Sequence, residues 1–382
     1  MLNYSKSVIW NMTRNCNYQC SYCYFPHSNA KITHPISPKT LTDFFNKNDE
    51  VWLIGMTGGE PLIYPQFVDI CKALTRNHYI GIDTNLSITK VVKELADSID
   101  PRRVDDIYAS LHIEERERKN DVQKFIDNYH IVNNAGFAIK VNYVLHPTLE
   151  KRYERDLAYF ADHGVPLTPR PFKGTFEGKK FPQNYSQPIK DIFATHPDAG
   201  TKMVFNFQGI DCHSGNSFIR MEPDGTVFRC PGDRTVLGNI HTSVSFTGGA
   251  TPCNVPRCPC QGVHYVELNP AEDWFIEGMR AYITGAAKNA ANAFRQTLIY
   301  DSKHSSALNN IGVFAFTNGD YTHAMRLFEH ARRLHPSIRL YAENEAIAQR
   351  AMHSEKPTDE QPELSEIVRP CAVQAQFMQN TK

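Results

Sequence analysis

Three thiols carry the chemistry of this chain. Cys16, Cys20 and Cys23 fall within eight residues, Cys16-Asn17-Tyr18-Gln19-Cys20-Ser21-Tyr22-Cys23, spaced CxxxCxxC. A loop this short can aim three sulfurs at one point. Thiolates select soft metals, chiefly zinc and iron–sulfur clusters. A structural zinc takes four protein ligands, and no fourth cysteine follows at close range. An iron–sulfur cubane on three thiolates leaves one iron open, able to bind and reduce a small molecule. Five more cysteines, Cys212, Cys230, Cys253, Cys258 and Cys260, gather further along the chain. Cys71 stands among apolar residues and reads as core, and Cys371 reads as a free thiol.

The composition bounds what these groups can serve. At 382 residues, 41% of them hydrophobic, the chain can bury two or three cores. Lys plus Arg (41) balances Asp plus Glu (41), so no global field favours nucleic acid or an anionic membrane. No apolar run is long enough to span a bilayer, and Met1–Lys6 lacks a signal-peptide pattern. Ten cysteines in such a chain read as metal ligands before disulfides. The expected location is the cytoplasm, with neither nucleic acid nor membrane as partner.

The elements that must position the thiols alternate over residues 1–195. Strands are expected at Val8–Thr13, Val51–Thr57, Tyr79–Thr84, Asp106–Leu111, Ala138–Leu145 and Pro166–Phe172, all rich in Val, Ile, Tyr and Leu. Helices are expected at Pro38–Lys47, Pro65–Asn77, Thr89–Ile99, Asp121–Asn134 and Glu154–His163. Ser37 before Pro38 is a helix start, and Gly136 and Gly164 are helix ends. This alternation implies a parallel sheet with right-handed crossovers. The cysteine loop follows the first strand, at the end of the sheet where function gathers in such folds.

The CxxxCxxC spacing, the aromatic Tyr22 before the third cysteine and the preceding strand resemble the radical S-adenosylmethionine (radical SAM) superfamily. The resemblance implies the α/β class and a (β/α)6 partial TIM barrel over residues 1–195. It implies a [4Fe-4S] cluster on Cys16, Cys20 and Cys23, with S-adenosyl-L-methionine on the open iron. Gly58-Gly59-Glu60, ending the second strand, looks like the family's GGE motif, which meets the amino group of SAM. Thr84 and Asn85 match the small polar position after the third strand, although Leu86 replaces the usual glycine. Ser110 matches after the fourth strand, where His112 and Ile113 replace the usual Asp-Gly. His112 is expected at the barrel mouth, as a structural residue or a proton carrier. Glu114–Lys119 reads as a solvated charge run; Arg118, with Arg116 as its neighbour, is the expected fork on the SAM carboxylate. Asn142 is a further polar candidate, either a SAM contact or a sheet-face residue. Residues 170–188 are expected to fold over substrate or to form a plain surface loop.

Cys212, Gly225 and Cys230 fit C-x(12)-G-x(4)-C, with a β-hairpin between them turning at Asp224-Gly225. With Cys253, Cys258 and Cys260 this resembles the SPASM/twitch extension, a small β-hairpin iron–sulfur domain expected over 196–264. The resemblance implies an auxiliary [4Fe-4S] cluster on Cys212, Cys230 and two of the other three; the spacing alone also fits a zinc knuckle.

Residues 271–338 repeat at a period of 34: Gly278 matches Gly312, Ala290 matches Ala324 and Phe294 matches Phe328. This looks like the tetratricopeptide pattern of paired helices, expected over 265–353. Such repeats bind peptide segments or buttress a neighbouring domain. Residues 354–382 turn polar and are expected to be a disordered tail.

The resemblance implies an enzyme that takes an electron from a donor such as flavodoxin or ferredoxin. It cleaves SAM to a 5′-deoxyadenosyl radical and abstracts hydrogen from substrate. A peptide or protein to be oxidised, cross-linked or epimerised is favoured by the repeats. The alternatives are a small-molecule dehydrogenase or epimerase acting on a sugar or aminocyclitol, and a non-catalytic adaptor.

Overall fold

A computed structural model describes residues 2–23, 32–47, 49–182, 184–195, 205–256, 258, 265–283, 286–353 and 360–368. Strands β1 (Lys6–Thr13), β2 (Trp52–Gly58), β3 (Tyr79–Thr84), β4 (Val104–Ser110), β5 (Ile139–Leu145) and β6 (Leu167–Pro171) alternate with helices α1 (Pro38–Phe45), α2 (Phe67–Leu74), α3 (Thr89–Ser98), α4 (Ile113–Lys119), α5 (Val122–Asn134) and α6 (Tyr153–Asp162). Then follow β7 (Gly174–Phe176), β8 (Lys179–Phe181), α7 (Gln187–Thr195), β9 (Asp211–Cys212), β10 (Phe218–Met221), β11 (Thr226–Phe228), β12 (Val236–Asn239) and β13 (Thr251–Pro252). Helices α8 (Pro270–Ile283), α9 (Ala287–Tyr300), α10 (Ser305–Thr317), α11 (Tyr321–Leu334) and α12 (Arg339–His353) close the chain. Among the described residues, no helix is long and apolar enough to cross a membrane.

The chain divides into two compact units, Met1–Thr201 with Ser214–Gly248, and Lys202–His213 with Gly249–Lys382. The first is built on a nine-stranded sheet, ordered β12-β11-β10-β1-β2-β3-β4-β5-β6. Strands β1 to β6 pair in parallel and in chain order. Trp10, Ile54, Met56, Ile80, Ile82 and Ile107 alternate toward the helices and are buried, as period-2 patterning of a covered sheet face requires. Ser37 caps α1, accepting the Thr40 N–H at 3.1 Å. Gly136 and Gly164 end α5 and α6 with positive φ, 88° and 70°.

Three expectations are corrected here. The segment around Asp224-Gly225 does form a hairpin, with β10 and β11 antiparallel. It is not a separate small domain, however: β10 adds in parallel to the free edge of β1, Trp10 opposite Met221. An unpaired strand edge demands a partner, and this one comes from about two hundred residues further along the chain. The charge run 114–119 is not simply a solvated face. It is helix α4, in which Arg116 is wholly buried and Glu115 nearly so. Residues 360–368, expected in a disordered tail, pack into the second unit, with Ser365, Ile367 and Val368 buried.

In that second unit the period of 34 has a geometric counterpart. A Cβ on Gly278 would lie 2.6 Å from the Phe294 ring, and one on Gly312 would lie 2.6 Å from the Phe328 ring. In each helix pair, α8–α9 and α10–α11, a glycine thus accepts a phenylalanine at the same repeat position. Leu364 packs against the apolar cluster that contains Phe316, Phe328 and Ala348, and Ile367 is part of the cluster that contains Leu308, Ala331 and Tyr341.

Candidate active site

The cysteine loop leaves β1 at Thr13 and is fastened at once to the end of β2. Gly59 N–H donates to Thr13 O at 2.7 Å and Glu60 N–H to Asn15 O at 2.8 Å. The approach is too close for side chains. A Cβ on Gly58 (φ 139°) would stand 2.3 Å from Thr13 O, and one on Gly59 2.0 Å from Asn15 O. The paired glycines therefore let the loop entrance lie directly on the strand end.

Beyond this entrance, Cys16 Sγ accepts the Tyr18 N–H at 3.4 Å and lies 3.9 Å from Asn85 Nδ2. Cys23 N–H closes a turn onto Cys20 O at 3.1 Å. Burial pushes the Cys20 thiol up to about 12, with Glu115, Cys16 and Cys23 adding to the rise. Cys16 is raised too, first by burial and then by Glu60 and Cys23. These shifts belong to the bare thiols, and a bound cation inverts the local logic. Among the described residues, no three His, Cys, Asp or Glu side chains already converge as a metal site. The donor chemistry fits a sulfur-ligated cluster: three thiols within electrostatic reach of one another, one of them accepting N–H donors of the kind that tune such clusters.

Behind the loop lies a buried polar network centred on Glu60, which is 0% exposed. Its Oε1 accepts the Leu62 N–H at 2.9 Å and the Thr84 hydroxyl at 2.6 Å; Oε2 accepts the Asn85 N–H at 2.6 Å. Burial raises its carboxyl to about 7, although these hydrogen bonds and Arg116 pull the other way. The Glu60 side chain ties the ends of β2 and β3 together. Asn85 extends the network outward, donating to Asn17 Oδ1 at 2.8 Å, while Asn17 donates to Ser87 Oγ at 2.8 Å.

The buried cation of this network is Arg116. Its Nε donates to Leu111 O at 2.7 Å, Nη2 donates to Asn85 O and Nη1 meets Asp121 at 3.3 Å, with the guanidinium 4.2 Å from the Phe125 ring centre. Arg118 is 56% exposed and forks onto Glu115 at 3.1 and 2.7 Å. Glu115 in turn accepts the Gln19 N–H of the cysteine loop at 3.1 Å. Sequence reasoning passed over Arg116. The signal available was its spacing of three from Ile113, which puts both on one face if the charge run is helical.

Tyr22 joins the loop to the ends of the later strands. Its hydroxyl is hydrogen-bonded to His112 Nδ1 at 2.9 Å, and its ring stacks on His146 at 5.8 Å. His112 has left-handed backbone (φ 47°), and burial lowers its imidazole to about 4, so it is neutral near pH 7. Phe172 and Phe176 meet His146 edge-on, each at 4.8 Å. Phe176 belongs to the β7–β8 hairpin, which forms within residues 170–182. Ser110 and Asn142 are register partners on β4 and β5, and Asn142 Oδ1 accepts Arg170 Nε at 2.7 Å.

The second cysteine group is distributed differently. In the second unit β9 pairs with β13, setting Cys212 opposite Thr251. Cys253 exchanges backbone bonds with Gly209 and Ile210 at 2.8 and 2.9 Å, and Cys258 N–H donates to Phe205 O at 2.9 Å. All three side chains are buried. Cys230 belongs to the first unit, where its Sγ accepts the Asp233 N–H at 3.1 Å and Asp233 pairs with Arg229. Cys260 and Cys371 lie outside the described residues. Cys71 is fully buried in α2, as expected of core.

Known proteins are similar to parts of this chain. Molybdenum cofactor biosynthesis protein 1 of Homo sapiens is 27% identical over 215 residues, covering 49% of this chain and 32% of that protein. An uncharacterized protein of Methanocaldococcus jannaschii is 32% identical over 103 residues, covering 26% of this chain and 36% of that protein. The chain thus spans about a third of the length of these relatives. Among solved structures, anSMEcpe with bound AdoMet aligns at 16% identity and a TM-score of 0.47, over 63% of this chain and 78% of that one. Residues 10–160 match the family model of the radical SAM superfamily.

Proposed function

We propose that the protein reductively cleaves S-adenosylmethionine and uses the product to abstract hydrogen from a peptide or protein. The observation that carries this reading is the three-thiol loop, fastened by Gly58-Gly59-Glu60 to the strand end, inside the residues that match the radical SAM family model. Cys16, Cys20 and Cys23 would hold a [4Fe-4S] cluster. When bound, that cluster supplies one electron from an external reductant to SAM, giving methionine and a 5′-deoxyadenosyl radical.

The chain's own residues bind and orient. Backbone groups at Gly58 and Gly59 and the small polar residues Thr84, Asn85, Ser110 and Asn142 are the proposed surface for SAM, with Tyr22 as its aromatic contact. Glu60 acts here through Thr84 and Asn85, because its own oxygens are engaged inward. Arg118 is an exposed cation of this region, held by Glu115. Tyr22, His146, Phe172 and Phe176 would keep water from the reacting centre. Cys212 and two of Cys253, Cys258 and Cys260 are the proposed ligands of an auxiliary cluster. A helical unit that holds an extended chain segment favours a peptide substrate over a small molecule.

The test is anaerobic reconstitution with iron and sulfide, dithionite reduction, and chromatography for 5′-deoxyadenosine. The native chain should form it, and a Cys16→Ala/Cys20→Ala/Cys23→Ala variant should not. Equal yields from both, or none from the reconstituted native chain, would sink the proposal.

A further inference from the structure

One face of α10 carries Ser305, Ser306, Asn309 and Asn310, all 0% exposed, and Asn344 of α12 is buried with them. Amides this densely buried destabilise a helix pair unless each is hydrogen-bonded. The serines meet the Tyr341 hydroxyl and the carboxamides bond one another; the carboxamides also take main-chain groups of the segment after α12 as partners. Asn344 Nδ2 donates to Glu363 O at 2.7 Å, and its Oδ1 accepts the Glu363 N–H at 3.0 Å. Asn310 does the same for Ser365, at 3.1 and 2.7 Å. Asn309 Nδ2 adds a bond to Glu363 O at 3.1 Å, and Ser365 Oγ donates to Ser306 Oγ at 3.0 Å.

Two carboxamides therefore each engage both main-chain groups of one residue, at alternate positions. A neighbouring β-strand would pair with an extended chain in the same way. Between and beyond these points, Leu364 packs against the apolar cluster that contains Phe316, Phe328 and Ala348, and Ile367 belongs to the cluster that contains Leu308, Ala331 and Tyr341. Glu360 pairs with Arg350 Nε at 2.9 Å. On the other edge a single bridge joins Ile367 to Asn206.

We infer that this groove is a binding site for an extended acidic peptide with apolar residues three apart, and that residues 360–368 are its resident, displaceable occupant. Carboxamides that grip main chain accept any extended segment and leave the choice to the side chains that meet the two apolar clusters, which is how a groove recognises peptides. The inference rests on the helical unit alone and holds whether or not the barrel acts on peptides.

Two measurements on the full-length protein test it. In hydrogen exchange, the Glu363 and Ser365 amides should exchange by local opening, about ten-fold or more faster than the slowest amides of α10 and α12. In fluorescence anisotropy, a labelled peptide of residues 360–368 should bind a Leu364→Asp/Ile367→Asp variant about ten-fold or more tighter than the native chain, because the resident segment no longer competes. Adding Asn309→Ala/Asn344→Ala should remove that binding. The segment is a permanent part of the fold, and the inference is wrong, if those amides exchange only together with the helices. The same holds if the released variant loses its helical circular dichroism, or keeps it and fails to bind the peptide.

Discussion

Cys16, Cys20 and Cys23 ride on one loop. Its entrance is hydrogen-bonded to a strand end, and its rear rests on a buried network of Glu60, Thr84, Asn85 and Arg116. Cys212 instead ends the short strand β9, Cys253 directly follows β13, Cys258 lies beyond it, and Cys230 belongs to the other compact unit. The first group has ionisable groups of both signs buried directly behind it; in the second, the buried Arg229–Asp233 pair stands beside Cys230, while Cys253 and Cys258 join backbone hydrogen bonds. The difference teaches where perturbation should travel. A change in the Glu60 network should reach the first group and leave the second untouched.

The largest effect expected from this contrast follows removal of the buried cation. Arg116→Met takes the buried guanidinium from the Asn85 carbonyl and from Asp121, which keeps Tyr18 Oη and Lys124, and breaking such a buried pair costs about 3–5 kcal/mol. Denaturant unfolding should report that loss, and exchange of the Cys253 and Cys258 amides should stay at native rates under native conditions. Next is Gly59→Ala, whose Cβ would stand 2.0 Å from Asn15 O. Moving backbone to accommodate it costs about 3 kcal/mol and should abolish SAM cleavage. Gly81→Ala is the control. Gly81 is the register partner of Gly55 in mid-sheet, and nothing lies closer than 3.8 Å to its added Cβ. That variant should be neutral or more stable by up to about 1 kcal/mol.

A smaller effect is expected in pH. The Glu60 carboxyl is raised from 4.5 to about 7 by burial. The folded state therefore holds its proton more tightly than the unfolded chain does. That contribution is fully present below pH 4.5 and is lost as pH rises toward 7. Native stability should fall relative to Glu60→Gln by on the order of 1 kcal/mol per pH unit across this window. Parallel curves for the two proteins from pH 4.5 to 7 would contradict the assignment. The smallest effect belongs to Arg118→Ala. An ion pair this exposed is worth under about 1 kcal/mol, so thermal unfolding should barely move. Affinity for SAM would fall only if Arg118 exchanges Glu115 for the SAM carboxylate.

What the sequence made legible was local. The CxxxCxxC loop, the six strands, the helix caps at Ser37, Gly136 and Gly164, and the Asp224-Gly225 hairpin all follow from periodicity and turn chemistry over a few residues. What it hid was long-range. Nothing near β10 says that it completes the edge of β1, because parallel pairing leaves no local signature. Glu60 reads as a ligand-facing carboxylate until Thr84 and Asn85 are seen to claim both its oxygens. Arg116 is lost in a run of charges because burial depends on which helix face meets Phe125. Residues 363–367 look like a polar tail because the groups that hold them, Asn309, Asn310 and Asn344, recognise main chain and leave no trace in the segment's own side chains.

The central claim is that two separately held cysteine groups carry two clusters. Iron and acid-labile sulfide counted after anaerobic reconstitution test it most directly. About eight irons in the native chain should fall to about four in Cys16→Ala/Cys20→Ala/Cys23→Ala and to about four in Cys212→Ala/Cys253→Ala. Only the second variant should keep SAM cleavage at its first cluster. About four irons in the native chain, unchanged by the first variant, would contradict the account.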